Sequence, residues 1–102
     1  MSINKFWREQ WIAKVYASAV ELFHLSRKEP ENAETPLSDL ARQCANTVFA
    51  ENAGTIVGDK EVVARAFMQK CREGFAYEIG KALVEDAQSS IAAHQTQEAR
   101  VS

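Results

Sequence analysis

The chain has 102 residues, of which 46% are hydrophobic and 25% are charged, and its twelve basic and fourteen acidic residues give a formal net charge of -2. This length suits one domain with one core, and the composition is that of a folded protein, not of a disordered one. The nearly balanced charge excludes a global positive field, so any contact with nucleic acid or an anionic membrane surface would have to be local.

The sequence lacks the patterns of a secretory signal and of a membrane span. The first ten residues show no basic start followed by an apolar run, and no stretch approaches about 20 apolar residues. We therefore expect a cytosolic protein without a membrane partner. Cys44 and Cys71 share no short spacing, and in the cytosol we expect them to be reduced packing residues.

The first predicted helix runs from about Asn4 to Arg27. At about 100° per residue its apolar side chains fall within one arc, formed by Trp11, Ile12, Val15, Tyr16, Ala19, Leu22 and Phe23. Trp7 lies at the edge of this arc, and Phe6 is directed roughly opposite to it. Two interpretations stay open: Phe6 and Trp7 seal one end of the bundle, or, flanked by Lys5 and Arg8, they form an exposed aromatic anchor.

A charged segment with two prolines follows, and it predicts the main loop. The second helix is predicted to begin with Thr35 as N-cap and Pro36 in the first helical position, with Asp39 near the positive end of the helix dipole. Helical spacing then continues through Leu37, Leu40, Ala41, Cys44, Ala45, Val48 and Phe49. We expect this helix to end at Gly54, in the left-handed conformation of a C-cap.

Asp59 is the predicted N-cap of a third segment, which runs without proline from Lys60 to about His94. Its apolar residues are four apart and form what we call the apolar row: Phe67, Cys71, Phe75, Ile79, Leu83, Ala87 and Ile91. This row rotates by about 40° per step, so one neighbouring helix cannot cover all of it. Either the helix breaks near Gly74, or it stays whole and two different surfaces cover its halves.

The second half of the apolar row therefore needs a partner. Ala76, Gly80 and Ala87 form an edge of small residues beside it, which would let another helix approach closely. The domain prediction is a single helical domain over residues 1–95, followed by a polar, frayed tail over residues 96–102.

Patterns for metal, phosphate or hydrolytic chemistry are incomplete. The Glu-x-x-His step at Glu21 and His24 occurs once, whereas a helical di-iron site needs two. A zinc site would have to combine four isolated ligands, His24, Cys44, Cys71 and His94, without the close pairs typical of structural zinc. The segment AGTIVGDK lacks the spacing of a phosphate-binding loop. We therefore predict no metal, no cofactor and no enzymatic activity.

The stretch LSDLARQCANTV resembles the opening helix of a helix-turn-helix. This resemblance implies DNA binding, for which the later helix offers Arg65, Lys70 and Arg72. Glu61, however, is placed to pair with Arg65 at the i, i+4 spacing, and Gln69 alone offers a base-reading amide nearby. A DNA-binding regulator is the alternative prediction.

Together these patterns predict an all-α fold, a bundle of three or four helices whose long C-terminal helix is either continuous or kinked at Gly74. The predicted function is that of a cytosolic protein-binding module, such as an adaptor, inhibitor or accessory subunit, which self-associates as a homodimer. Its compact, alanine-rich pattern suits an accessory protein of bacteria, phages or plasmids. The residues predicted to bind the partner, whose identity stays open, are Phe6, Trp7, Phe75, Ile79 and Leu83.

Overall fold

A computed structural model describes the backbone of residues 2–101 and the side chains of residues 5–91. Three α-helices form the fold: α1 (Ser2–Ser26), α2 (Leu37–Asn52) and α3 (Lys60–Val101). Single 3₁₀ turns at Pro30–Asn32 and Ala53–Thr55 lie in the two connections, and the described backbone contains no strand. The prediction of an all-α bundle with a long C-terminal helix is confirmed. The tail predicted to fray lies beyond the described side chains, so that prediction stays untested.

The first connection and the start of α2 lie close to their predicted places. Pro36 is the N-cap, and its carbonyl oxygen accepts hydrogen bonds from the backbone N–H groups of Asp39 (3.1 Å) and Leu40 (3.0 Å). The prediction that Thr35 is the cap and Pro36 the first helical residue is wrong by one position. The reason is the ψ angle of 138° at Pro36, which is extended, so helical geometry begins only at Leu37.

The second connection confirms one predicted cap and corrects another. Gly54 lies in a 3₁₀ turn, and the positive φ angle of the connection, 95°, belongs to Gly58 instead. Asp59 caps α3 as predicted. Its Oδ1 atom accepts a hydrogen bond from the backbone N–H of Glu61 (3.0 Å), and its carbonyl oxygen accepts a hydrogen bond from the backbone N–H of Val63 (3.2 Å). The left-handed residue thus precedes α3, and does not end α2.

The core lies between the three helices and is closed at one end by tryptophan. Its buried helical residues are Trp11, Val15, Ala19, Phe23, Leu40, Ala41, Cys44, Ala45, Val48, Val63, Phe67, Cys71, Phe75 and Ala82. The Trp11 indole N–H donates to Thr55 Oγ1 at 2.8 Å, which satisfies its one donor. Trp7 is half-buried and stacks on Trp11, with ring centroids 6.3 Å apart. Trp7 therefore belongs to the closed end of the bundle, whereas Phe6 is exposed.

Helix α3 passes through Gly74 without interruption, so the alternative of a break at this glycine is wrong. A Cβ atom at Gly74 would lie 1.8 Å from the Tyr16 hydroxyl oxygen, so the glycine allows α1 to pack closely against α3. The Tyr16 ring also packs edge-to-face on Phe75 (5.8 Å) and beneath the Lys70 ammonium (5.2 Å).

Helices α1 and α3 run parallel to each other and antiparallel to α2, and each helix packs against the other two. Trp11 packs against Phe67 near the start of α3, and Arg27, just after α1, reaches Glu85. Because α3 has 42 residues, it is about 63 Å long and extends past the end of α1. The molecule measures 68 × 26 × 15 Å, and its radius of gyration of 17.9 Å exceeds the roughly 13 Å of a compact domain of this size.

Candidate functional site

The part of α3 beyond the bundle carries an exposed apolar surface. Ala82 is the last buried residue of α3 among the described side chains, and every residue from Leu83 to Ile91 is exposed. The exposed fractions are 56% for Leu83, 56% for Val84 and 57% for Ile91. Together with the half-buried Gly80 and the exposed Ala87, they form what we call the α3 patch: Gly80, Leu83, Val84, Ala87 and Ile91. Within residues 5–91, no other helix covers this patch.

A groove between α2 and α3 continues from the α3 patch toward the body of the molecule. It encloses a volume of about 610 Å³, and we call it the α2–α3 groove. Its apolar lining consists of Ala41, Ala45, Met68, Cys71, Phe75, Ala76 and Ile79. Its polar lining consists of Ser38, Arg42, Asn46 and Arg72. No carboxylate lines the groove, although the chain has fourteen acidic residues.

The apolar row joins these two surfaces. Cys71, Phe75 and Ile79 line the groove, and Leu83 and Ile91 lie in the patch beyond it. Since residues four apart form a ridge that is inclined to the helix axis, the row runs diagonally from the outer surface of α3 into the groove. The apolar row therefore connects the groove with the patch along α3.

A polar cluster fixes the direction of α3 where it leaves the bundle. Arg27, whose side chain is only 8% exposed, contacts Glu85 at 2.5 Å and Asp86 at 3.4 Å. Its Nε–H also donates to His24 Nδ1 (3.1 Å), so the other ring nitrogen, His24 Nε2, carries the hydrogen directed at Glu78 Oε1, 3.3 Å away. His24 itself is half-buried in this cluster.

The structure separates the five residues predicted to bind a partner. Phe75 is buried in the core at 5% exposure and contributes to the lining of the groove, and Ile79 is half-buried there. Leu83 is exposed in the α3 patch. Phe6 is also exposed, but it and Trp7 lie near the start of α1, about 30 Å along the helix from the end that reaches the patch.

Sequence reasoning overlooked Val84 as a surface residue. It follows Leu83 directly and so falls outside the four-residue spacing of the apolar row. The α2 wall of the groove was also overlooked, because it forms only when α2 packs on α3. The one sequence signal for the groove was the predicted edge of small residues on α3. Of these, Ala76 lies in the groove and Gly80 lies in the patch.

The three basic residues of the alternative DNA-binding prediction are engaged within the chain. Arg65 contacts Glu61 at 2.5 Å, Arg72 donates to Gln69 at 2.7 Å, and Lys70 lies over the Tyr16 ring. The connection between α2 and α3 spans residues 53–59, longer than the three or four residues that join the helices of a helix-turn-helix. The geometry thus provides neither the expected turn nor three free cations.

Neither cysteine is placed for chemistry. Both are buried free thiols, and burial raises the pKa of Cys44 above its ordinary value and that of Cys71 to about 11. Burial therefore favours the protonated thiol at both positions, and the thiolate is the nucleophilic form. Within residues 5–91, no three His, Cys, Asp or Glu side chains lie together in a way that would hold a metal ion. His94, one of the four zinc candidates, lies outside the described side chains.

No family model, no curated protein and no solved structure matches the chain. Among the described residues, no helix combines the length and the apolar character needed to cross a membrane. The surface of the molecule must therefore be interpreted from its own geometry.

Proposed function

We propose that the chain is a small cytosolic protein-binding module, without enzymatic activity, that binds a helical partner through the α3 patch and self-associates. The observation that carries the proposal is the exposure of Leu83, Val84 and Ile91 on a helix that extends beyond its bundle. Contiguous apolar surfaces of this kind mark interaction sites in proteins. The two free cysteines, Cys44 and Cys71, suit a reducing compartment.

The amount of exposed apolar surface allows an estimate of its contribution. Complete burial of a leucine, isoleucine or valine side chain contributes about 1.5–3 kcal/mol, so burying the exposed half of each contributes about 1 kcal/mol. Two copies that each cover Leu83, Val84 and Ile91 would thus gain about 6 kcal/mol before the cost of association. Before that cost, about 6 kcal/mol corresponds to a dissociation constant of about 40 μM, so association is weak, depends on protein concentration and requires contacts beyond these three residues.

Light scattering tests the proposal on the unmodified chain over about a hundredfold range of concentration, from about 5 to about 500 μM, which brackets this value. We expect the molar mass to rise from the monomer value of 11.4 kDa toward that of a dimer. A mass that stays at the monomer value over the whole range would refute the proposal.

The variant Leu83→Asp places a charge within the α3 patch. Because the change occurs in both copies, we expect association to weaken by about a hundredfold or more. The matched control is Ser89→Asp, which adds the same charge at an exposed position on the opposite side of α3 and should leave association unchanged. Equal effects of the two variants would show that general charge repulsion, not the patch, controls the mass. Circular dichroism should show unchanged helix content in both.

A further inference from the structure

The α2–α3 groove lies on a face of the helix pair that α1 does not cover. All of its lining residues belong to α2 or α3, and no described residue of α1 is among them. On each helix the lining positions recur three and four residues apart, so each helix presents one face, an arc of about 140°, to the groove. On α3 they extend from Met68 to Ile79, about 17 Å along the helix axis. The groove therefore follows both helices for about three helical turns.

The charged residues that line this groove are both arginines. Arg42 lies on the α2 wall and Arg72 on the α3 wall, and both are exposed. Among residues 5–91, neither arginine forms an ion pair with a carboxylate. Arg72 donates one hydrogen bond to the uncharged amide oxygen of Gln69 (2.7 Å), so most of its five N–H donors stay available. In a chain of net charge -2, the groove is thus a local positive site.

The floor of the groove, between these charged walls, is apolar. Ala41 and Ala45 of α2 and Cys71 and Phe75 of α3 are buried there. The small alanine side chains leave space above α2 that a side chain of a partner can fill. An apolar floor between positively charged walls is complementary to a helix that has one apolar face and carboxylates on both sides of it.

We infer that the α2–α3 groove binds an acidic amphipathic helix of a partner protein. The apolar face of this helix lies on the floor, and its aspartate or glutamate side chains contact Arg42 on one wall and Arg72 on the other. The bound helix packs on α2 and α3 away from α1, so that four helices pack together. The inference goes beyond the proposed function, because it concerns a surface separate from the α3 patch and does not depend on self-association.

The position of the arginines on two different helices favours a helix over a small amphipathic acid. A small acid with one carboxylate satisfies one arginine, whereas an amphipathic helix presents acidic residues on both sides of its apolar face. Arginine and carboxylate form two parallel hydrogen bonds, which fixes the orientation of the bound helix. Because both arginines are exposed, we expect them to select the partner and the apolar floor to supply most of the affinity.

Fluorescence anisotropy with labelled synthetic peptides and the whole chain tests the inference. The acidic probe is an amphipathic peptide with leucines three and four residues apart and glutamates on both sides of them. Two matched probes carry glutamine or lysine in place of every glutamate. We expect the acidic probe to bind about tenfold more tightly than the glutamine probe, and the lysine probe to bind more weakly still.

The double variant Arg42→Glu/Arg72→Glu should reverse this order, so that the lysine probe binds most tightly. The matched control is Lys5→Glu/Lys14→Glu, which makes the same change of charge at exposed positions of α1 and should preserve the order. Circular dichroism should show unchanged helix content in both, since all four positions are exposed. If the arginine double variant loses helix content, Arg42→Gln/Arg72→Gln replaces it, and the acidic and glutamine probes should then bind equally.

Several outcomes would overturn the inference. Equal binding of the acidic and glutamine probes to the unmodified chain would show that charge does not select the partner. An unchanged order of the probes in the arginine double variant, or a reversed order in the control, would place the contact outside the groove. Loss of acidic-probe binding in Leu83→Asp would place the probe on the α3 patch. Binding of decanoate in calorimetry, without binding of the acidic probe, would identify the occupant as a small amphipathic acid.

The inference and the proposed function fail separately. A monomer mass in light scattering at every concentration would refute self-association and leave the groove inference standing, because the groove lies within one chain. Failure of the acidic probe to bind, together with a rising molar mass, would refute the groove inference alone.

Discussion

Replacing Gly74 by alanine should destabilise the protein, although alanine is the better helix former. In an exposed helix, this change would stabilise by about 1 kcal/mol. Here the new Cβ would lie 1.8 Å from the hydroxyl oxygen of Tyr16, 2.3 Å from its Cζ and 2.7 Å from its Cε1. The ring must therefore swing away. It then loses its edge-to-face contact with Phe75, about 0.5–1.5 kcal/mol, and its contact with the Lys70 ammonium, about 0.5–1 kcal/mol.

Adding about 1 kcal/mol for the apolar area that the ring exposes, we expect Gly74→Ala to lower the free energy of unfolding by about 1–2 kcal/mol. In a Tyr16→Ala background the obstacle is absent, and the same change should stabilise by about 1 kcal/mol. The predicted coupling between the two sites is thus about 2–3 kcal/mol. Urea denaturation of all four proteins at one concentration measures it by circular dichroism. Equal effects of Gly74→Ala in both backgrounds would refute the close packing of α1 on α3.

Two further predictions concern the polar cluster and the buried thiol. Arg27→Leu should lower the free energy of unfolding, measured by urea denaturation, by about 1–2 kcal/mol, because it leaves Glu85 and Asp86 without their cation. The control is Arg65→Leu, on the open surface, which should change the free energy of unfolding by less than about 0.5 kcal/mol. Burial raises the pKa of Cys71 to about 11 in the folded protein, from an ordinary value of 9.0, so the unfolded chain loses the thiol proton at lower pH than the folded one. The free energy of unfolding should therefore fall as the pH rises from about 9 to about 11. The fall should be smaller in Cys71→Ala.

Each of these two predictions has an outcome that would contradict it. If Arg65→Leu were as costly as Arg27→Leu, the low exposure of the Arg27 side chain would have no energetic consequence. If the free energy of unfolding fell equally with rising pH in Cys71→Ala, titration of other groups, and not of Cys71, would account for the fall. Both measurements use the folded chain and do not depend on the dimer, provided that protein concentration is held constant.

Residue spacing in the sequence predicted the fold class and the approximate helix positions. Apolar residues three and four apart define the inner faces of α1 and α2 almost completely, since a helix returns to one face with that period. Asp59 was predicted correctly as a cap, because an acceptor before a helix binds the free N–H groups of the same short segment. Local interactions between neighbouring residues decide such features. Pro36 shows how accurately such patterns predict the start of a helix, because its extended ψ angle moves the start of α2 by one residue from the predicted position.

The candidate surface was only partly predictable. The rotation of the apolar row indicated that one neighbour could not cover α3, and Leu83 was named from that argument. Which members of the row were exposed could not follow from spacing alone, since Phe75 and Leu83 occupy equivalent positions in it. The end of the bundle decides between them: α1 and α2 reach Phe75, and they do not reach past Ala82.

What the sequence determined by itself is therefore the set of helices, the N-caps of α2 and α3 within one residue, and an excess of apolar surface on the last helix. Tertiary structure alone decided that Gly74 is a packing contact, that Arg27 meets Glu85 and Asp86, and that α2 and α3 enclose a groove. The physical reason is the range of the interactions. Helix formation depends on residues three or four positions apart, whereas these contacts join residues that are separated by most of the chain and meet only when the helices pack.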